Sequence, residues 1–283
     1  MLPRIITGIL IVPFISIVVW YGSVPFLLFV AAICLLSVWE YSVMADEAGY
    51  PNQLFLGLLG VGLILLSLYF DGISMGRIQK TPSPFFILIF WCFISFLREL
   101  IRKDKGHSYL IFISTLSGVI LFGLLLGHLL LLRDLRFLGG EGVQMAGKKI
   151  TFFLIIVIWL VDTGAWFVGK LMGKSHLAPV VSPKKTWEGA IGGTIIACLA
   201  AFIFREAFLK VEMARMEAIF YAIIISVTAQ FSDLIESLLK RSFGAKDSSQ
   251  ILPGHGGILD RFDSFIFSAP FFYYLLLATG RFQ

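Results

Sequence analysis

Charged residues are scarce in this chain. Asp, Glu, Lys and Arg together make up 14% of its 283 residues, whereas apolar residues make up 58%. A soluble domain could not hide that much apolar surface. The composition therefore excludes an ordinary soluble globular protein and indicates a membrane protein.

Cysteine is also rare. Cys34, Cys92 and Cys198 are odd in number, widely spaced and each inside an apolar run. That pattern supports neither a disulfide framework nor a metal knuckle, and we expect the three thiols to pack as small hydrophobic groups. The net charge of +5 reflects loop lysines and arginines that set orientation and meet anionic lipid head groups. It gives no reason to expect a nucleic-acid partner.

A complete P-loop is missing. Gly164, Gly169 and Lys170 have the spacing of the P-loop glycines and lysine. The next residue, however, is Leu171, where a P-loop has the Ser or Thr that ligates Mg²⁺. No strand is predicted before this segment. The P-loop class of nucleotide-binding proteins is therefore not supported.

Long apolar runs are abundant instead. A helix needs about 20 apolar residues to cross a bilayer. The first run follows Arg4, and we interpret it as an anchor because no small-residue cleavage pattern follows Tyr21. Breaks at clusters of charged and turn residues predict about nine transmembrane helices, at 4–21, 24–44, 54–70, 84–100, 109–132, 150–169, 187–208, 216–240 and 262–280. The predicted fold is an all-α polytopic integral membrane protein.

Nine spans place the N-terminus and four loops on one face. These loops are 45–53, 101–108, 170–186 and 241–261. This face carries somewhat more Lys and Arg than the other, so the positive-inside rule favours it as cytoplasmic.

Ionisable residues divide the chain into two regions. Residues 1–149 are predicted to form about five helices with almost no interior charge, a scaffold region. From 150 to 283, ionisable residues lie within or beside the spans: Asp162, Asp233, Glu236, Lys240, Asp260 and Asp263. A charge in hydrocarbon costs about 2.5–3.5 kcal/mol even on the most lenient scale. We therefore expect the second region to be catalytic.

The end of the predicted eighth helix carries a polar face. Asp233, Glu236, Ser237 and Lys240 are separated by three or four positions and share one side of a helix. A local Glu236–Lys240 ion pair is the simpler interpretation. It leaves Asp233 unexplained, one turn deeper in the span.

A glycine-rich stretch follows and leads into the ninth predicted helix. Gly256 and Gly257 precede Asp260 and Asp263. Successive backbone N–H groups at a helix N-terminus attract phosphate, whereas carboxylates there would repel it unless a divalent cation lies between them. Mg²⁺ held by carboxylates and substrate phosphates fits that pattern. Helix capping by Asp is the alternative, but it explains only one of the two carboxylates.

Two adjacent lysines stand on an earlier loop of the same face. Ser182 and Pro183 resemble a helix start, which would place Lys184 and Lys185 in the first turn, where they oppose the helix dipole. A clamp for a triphosphate is one interpretation, and contact with anionic head groups is the other.

Asp162, inside the sixth predicted helix, is expected to have a polar role in a cavity, because the energetic cost of a charge within the membrane must be offset.

These segments resemble one enzyme family. The following residues match, at the same spacing, the signature of the phosphatidate cytidylyltransferase family: Ser237, Lys240, Arg241, Lys246, Asp247, Pro253, His255, Gly256, Gly257, Asp260, Arg261 and Asp263. The segments 162–165 and 182–188 are also similar to the family, so the resemblance covers roughly residues 150–283. It implies a bacterial-type integral enzyme of the inner membrane, dependent on Mg²⁺ with Mn²⁺ as a substitute. The implied reaction condenses CTP with phosphatidic acid in the bilayer, at a cytoplasmic site, and releases pyrophosphate; a homodimer is compatible with it.

The resemblance and the residues together suggest roles. We expect Asp233 and Asp260 to be metal ligands, with Glu236 and Asp263 next. The other expected catalytic residues, which neutralise or orient phosphate, are Lys240, Arg241, Lys246, His255 and Arg261. The expected substrate-binding residues are Asp162, Ser182, Lys184, Lys185, Thr186, Gly256 and Gly257.

Two other function classes remain open at this point. A CTP-dependent kinase for a polyprenol or phytol would share a nucleotide site but release CDP. A transporter for a phosphorylated solute would also place charges within the membrane, although it should show repeats with broken helices, and no such repeat is visible in the sequence.

Overall fold

The computed structural model describes residues 2–74, 83–139, 142–251 and 256–283. Helices dominate these residues, and the chain divides into two compact units. The first unit is Met1–Leu131 with Ser242–Phe262, and the second is Leu132–Arg241 with Asp263–Gln283. The predicted division into a scaffold region 1–149 and a catalytic region 150–283 stays a prediction.

Most helices of the first unit are long and apolar. They are α1 (Leu2–Tyr21), α2 (Ser23–Glu47), α3 (Leu54–Ser74), α4 (Pro84–Ile101), α5 (Ser108–Gly118) and α6 (His128–Asp134), which continues into the second unit. Ser83 caps α4, where its side chain accepts a hydrogen bond from the Phe86 N–H, and Pro84 takes the first helical position. Between α5 and α6, Val119–Leu125 form a π-helix.

The second unit holds three long helices and two short hairpins. The helices are α7 (Gly147–Met172), α8 (Trp187–Phe208) and α9 (Arg215–Ser242), and the unit also contains most of α10 (Leu259–Ala278). Strands β1 (Arg136–Gly139) and β2 (Gly142–Met145) pair antiparallel, as do β3 (His176–Ala178) and β4 (Ser182–Thr186). The β3–β4 hairpin joins α7 to α8.

Glycines let α7 and α8 approach closely. A Cβ added at Gly193 would lie 2.6 Å from the Val161 carbonyl oxygen, and one added at Gly189 would lie 2.7 Å from the Ala165 carbonyl oxygen. Only residues without a side chain fit at such a contact. These two glycines therefore have a packing role.

Seven helices within the described residues are long and apolar enough to cross a membrane. They span Ser23–Glu47, Leu54–Gly72, Pro84–Ile101, Ser108–Asp134, Gly147–Met172, Trp187–Phe208 and Arg215–Ser242. A shorter apolar helix, Ile11–Tyr21, precedes them. The chain is thus an all-α polytopic membrane protein, as predicted, while the total of nine spans stays a prediction.

One local prediction is wrong. Ser182 and Pro183 do not start a helix, because Ser182–Thr186 form β4. Thr186 is the N-cap of α8, and its hydroxyl accepts a hydrogen bond from the Gly189 N–H at 3.2 Å. Lys184 and Lys185 therefore lie in a strand before the helix and not in its first turn, so the helix dipole gives no argument about their role.

Candidate active site

Three carboxylates converge between α9 and α10. One carboxylate oxygen from each of Asp233, Glu236 and Asp263 lies within 4.8 Å of the others. Ser232 links the two helices here: its hydroxyl donates to the backbone carbonyl of Asp263 and also lies 3.4 Å from the Phe267 nitrogen, whose N–H donates to it. The helical spacing of Asp233 and Glu236 puts both on the side of α9 that meets Asp263.

Lysines from two directions pair with this cluster. The Lys185 Nζ of β4 lies 2.5 Å from Asp233 Oδ2. The Lys240 Nζ lies 2.9 Å from Glu236 Oε2, one helical turn away, and the Glu236 side chain is only 2% exposed. The local Glu236–Lys240 pair is therefore present. Asp233, which that pair left unexplained, has its own lysine from a different element.

A pocket of about 520 Å³ adjoins Asp233. Ligand sites commonly have volumes of this order, about 300–1,000 Å³. The lining includes six residues that the sequence suggested for metal or substrate: Asp162, Ser182, Lys184, Lys185, Thr186 and Asp233. Residues from three separate predicted segments thus meet at one place.

The β3–β4 hairpin is fixed at its base. Glu188 accepts hydrogen bonds from the backbone N–H groups of Lys174, at 3.1 Å, and Ser175, at 3.2 Å. The Trp187 N–H donates to the Ser175 carbonyl at 2.9 Å. These bonds, with the Thr186 cap, hold β4 so that its lysines face the pocket.

Four carboxylates lie close enough here to act on one another. Asp162, Asp233 and Glu236 all act electrostatically on Asp263, while Lys185 and Lys240 each pair with one carboxylate. Bringing four carboxylates together among apolar helices is costly, and a divalent cation would offset their mutual repulsion. Clustered carboxylate oxygens are also the ligands that Mg²⁺ prefers. The residues present therefore fit a magnesium ion.

Asp260 belongs to a separate hydrogen-bond network in the first unit. Its Oδ2 accepts from the Ser248 N–H and hydroxyl, each at 3.1 Å, and from the Gly257 N–H at 2.8 Å. The next two N–H groups, of Ile258 and Leu259, donate to Glu40. The backbone donors that the sequence suggested for phosphate are thus directed at protein carboxylates. Phosphate binding by Gly256 and Gly257 and metal binding by Asp260 stay predictions.

Comparison with known proteins identifies the family. Residues 2–279 match the model of the cytidylyltransferase family. This chain belongs to that family. It is 33% identical to a phosphatidate cytidylyltransferase of Bacillus subtilis over 274 residues, 96% of each chain. It is also 34% identical to the enzyme of that name from Haemophilus influenzae, over 88% of each chain.

A third relative matches over a shorter stretch. A phosphatidate cytidylyltransferase of Staphylococcus epidermidis is 46% identical over 133 residues, which cover 47% of this chain and 51% of that protein.

Several basic residues of the family signature lie at the end of α9, in the loop after it or at the start of α10. The Arg241 Nε donates to the Val181 carbonyl at 3.4 Å, which ties the end of α9 to the turn of the β3–β4 hairpin. Lys246 and Arg261 are exposed. Phosphate contact by these three residues stays a prediction, and His255 lies outside the described residues.

Sequence reasoning missed two residues in these networks. Gln230 lines the pocket and donates to the Thr194 hydroxyl at 3.3 Å. Glu40 is a fully hydrogen-bonded carboxylate, 1% exposed, in α2. A signal was available for Glu40, since an acidic residue at the end of an apolar run must find partners, but the sequence does not indicate which.

Proposed function

We propose that this chain transfers a cytidylyl group from CTP to phosphatidic acid, making CDP-diacylglycerol and pyrophosphate for phospholipid biosynthesis. The names of the relatives support this activity. The observation that carries it is the pocket in which Lys184 and Lys185 of β4 lie beside Asp162 and Asp233, which belong to long apolar helices. Such a pocket suits a reaction between a nucleoside triphosphate and a lipid.

The reaction is an in-line displacement. An oxygen of the lipid phosphate attacks the α-phosphorus of CTP, a new P–O bond forms, and the bond from the α-phosphorus to the bridging oxygen breaks as pyrophosphate leaves. A phosphate monoester is already anionic near neutral pH, so the step needs no strong general base. Catalysis then depends on positioning and on neutralisation of charge.

The chain's own residues supply both. Lys184 and Lys185 are placed by β4 to neutralise the triphosphate, and Lys185 is held by Asp233. Lys240 pairs with Glu236 and so places a positive charge beside the acidic cluster.

A divalent cation completes the proposal. Asp233, Glu236 and Asp263 would hold it. Mg²⁺ bound there supplies positive charge that offsets charge developing on the phosphates, and Mn²⁺ would substitute.

We further propose that the site faces the cytoplasm in the inner membrane, because CTP is cytosolic. Residues 170–186 and 241–261 would then be cytoplasmic. The slight excess of Lys and Arg on this face agrees with the positive-inside rule.

Product analysis tests the proposed reaction. Purified enzyme would be given CTP labelled at the α-phosphorus together with phosphatidic acid in detergent. The expected result is label in a lipid product and release of unlabelled pyrophosphate. Labelled CDP with an unlabelled phosphorylated alcohol, when a polyprenol or phytol replaces phosphatidic acid, would instead identify a CTP-dependent lipid kinase.

A further inference from the structure

Gln230 is a polar side chain in the wall of the pocket. It precedes Asp233 by three residues on α9, a rise of about 4.5 Å along the helix axis. Gln230 therefore lies close to the place proposed for the triphosphate, yet the reaction as derived so far gives its amide no role. The neighbours of this amide on α8 and α9 decide which way it faces.

The side-chain nitrogen of Gln230 is surrounded by acceptors. Nε2 lies 3.1 Å from the Ser226 carbonyl oxygen, 3.3 Å from the Thr194 hydroxyl oxygen and 3.4 Å from the Ala190 carbonyl oxygen. A carbonyl only accepts, and the Thr194 hydroxyl donates its own proton to the Ala190 carbonyl at 2.9 Å. A flipped amide would set its oxygen against three other oxygens. The N–H groups of Gln230 are therefore directed at the protein.

The oxygen of the same amide has different surroundings. Among the residues that the structure describes, the hydrogen bonds of the Gln230 side chain all involve Nε2, and none involves Oε1. Since Gln230 lines the pocket, Oε1 is the polar atom that it offers to a ligand. The pocket thus presents an acceptor of fixed orientation, which favours a ligand that carries a donor.

The two proposed substrates differ in what they can donate. Ionised phosphates and the ester groups of phosphatidic acid accept hydrogen bonds and have none to donate. The donors of CTP are the exocyclic amine of cytosine and the ribose hydroxyls. A hydroxyl rotates to suit either end of an amide, so it does not require an amide of fixed orientation. The amine only donates, and it matches Gln230 Oε1.

We propose that Gln230 selects the base of the nucleotide. Its Oε1 accepts a hydrogen bond from the exocyclic amine of cytosine, and CTP is thereby preferred to UTP. Uracil carries a carbonyl oxygen where cytosine carries the amine, so UTP would bring two acceptors together with no proton between them. Acceptors left unpaired away from water cost binding free energy. This inference rests on the proposed function, which places CTP in this pocket.

Two ligands that differ only in the amine test the inference. One is CTP, and the other is the triphosphate of the pyrimidin-2-one ribonucleoside, in which hydrogen replaces the amine. Their binding to the purified full chain would be measured by isothermal titration calorimetry with Mg²⁺ and without phosphatidic acid, so that no turnover occurs. We expect the wild-type protein to bind CTP about tenfold more tightly than the analogue, the effect of one hydrogen bond. UTP should bind more weakly still.

Gln230→Met removes the amide and keeps an unbranched side chain of similar length. The carbonyls of Ala190 and Ser226 that it leaves behind belong to α8 and α9, where they also accept from their own helices, so the fold should tolerate the change. We expect the variant to bind CTP and the analogue equally, both at about the affinity of the wild-type protein for the analogue. In turnover, the kcat/KM ratio of CTP to UTP should fall about tenfold or more.

Thr228→Val is the matched control. The Thr228 hydroxyl is also a polar group of α9, but it donates to the Ile224 carbonyl at 2.8 Å, and Thr228 is not part of the pocket lining. Its loss should leave the preference for CTP over the analogue unchanged. A reduced preference in Thr228→Val equal to that in Gln230→Met would overturn the inference, because any disturbance of α9 would then have the same effect.

The other outcomes are equally decisive. Equal binding of CTP and the analogue by the wild-type protein would overturn the inference, as would a wild-type preference for CTP in Gln230→Met. A variant that instead loses the preference for CTP over 3′-deoxyCTP would place Gln230 at the ribose and also overturn it. If Gln230→Met does not fold, Gln230→Ala decides by the same comparison.

Failure of the proposed function has a different signature. A wild-type protein that makes no CDP-diacylglycerol refutes the proposed reaction, but the binding comparison needs no lipid and still decides the role of Gln230. A wild-type protein that does not bind CTP refutes both. Normal synthesis of CDP-diacylglycerol together with an unchanged preference for CTP in Gln230→Met would refute the inference about Gln230 alone.

Discussion

Lys184 and Lys185 are neighbours in β4 with different surroundings. Lys185 is about a quarter exposed and pairs with Asp233, whereas Lys184 is exposed at the pocket. Both charges lie where the triphosphate is proposed to bind. Because Lys185 also offsets the charge of Asp233, its removal changes two interactions and the removal of Lys184 changes one.

The two alanine variants should therefore differ. Lys184→Ala should raise the KM for CTP about tenfold, equivalent to one lost charge contact of about 1.4 kcal/mol, without a change in melting temperature. Lys185→Ala should also lower kcat and the melting temperature. Steady-state kinetics and thermal unfolding in detergent would measure this.

Lys210→Ala provides the control for these variants. Lys210 is an exposed lysine, 4.0 Å from Glu206 and away from the pocket lining, so its loss should leave CTP kinetics unchanged. Unchanged CTP kinetics in both β4 variants would contradict the triphosphate clamp and favour contact with lipid head groups.

The acidic cluster could be predicted in part from the sequence, because a charged residue inside an apolar helix is energetically costly and therefore indicates a functional role. That argument found Asp162, Asp233, Glu236 and Asp263. It could not find the Lys185–Asp233 pair or the partners of Glu40, since Glu40 and Ser248 are 208 positions apart in the chain. Contacts at that separation depend on the assembled fold and not on local spacing.

At the scale of elements, the contact between α7 and α8 positions the pocket. α7 carries Asp162, and α8 begins directly after β4 with its two lysines. The glycines at 164, 189 and 193 permit this contact, since an added Cβ at any of them would meet the other helix at about 3 Å or less. The spacing between these helices therefore sets the distance across the site.

Gly193→Val should disturb that spacing. The added side chain would meet the Val161 carbonyl oxygen and the Ala165 nitrogen, and overpacking of this kind costs about 1–3 kcal/mol. We expect a lower melting temperature and a reduced kcat. Ile195→Val, on an exposed part of α8, is the control and should change neither. Wild-type stability and activity in Gly193→Val would contradict the close contact.

Helices were more predictable than the short elements between them. The predicted starts of α3 and α4 at residues 54 and 84 are those of the structure, because turn residues precede α3 and a serine cap followed by proline begins α4. The π-helix Val119–Leu125 was not predicted, since its altered hydrogen bonding leaves the apolar pattern unchanged. The hairpins β1–β2 and β3–β4 were missed because their strands are short and show no regular alternation.

At the scale of the whole molecule, the proposed reaction requires a defined topology. In that reaction CTP would reach the site from the cytosol, and phosphatidic acid would reach it from the bilayer. The β3–β4 hairpin and the loop after α9 must then both open to the cytoplasm, while the loop between α8 and α9 must face the opposite side.

Single cysteines in a cysteine-free chain would test that topology. Val180→Cys and Gln250→Cys are at exposed positions and should react with an impermeant maleimide only from the cytoplasmic side. Val211→Cys, also exposed, should react only from the other side. Labelling of Val180→Cys and Gln250→Cys from opposite sides would contradict a shared cytoplasmic site.

The acidic cluster at the end of α9 is the centre of this account, and Asp233→Asn tests it most directly. Asn keeps the shape of the side chain but removes the charge that pairs with Lys185 and would bind Mg²⁺. A metal contributes several kcal/mol to transition-state stabilisation, and each 1.36 kcal/mol is about tenfold in rate.

The measurement is pyrophosphate release from CTP and phosphatidic acid across a Mg²⁺ titration, with Asp104→Asn, an exposed carboxylate outside the cluster, as the control. The account predicts that Asp233→Asn remains folded and loses several orders of magnitude in rate, while Asp104→Asn behaves as wild type. Near-normal turnover by folded Asp233→Asn, with unchanged dependence on Mg²⁺, would contradict it.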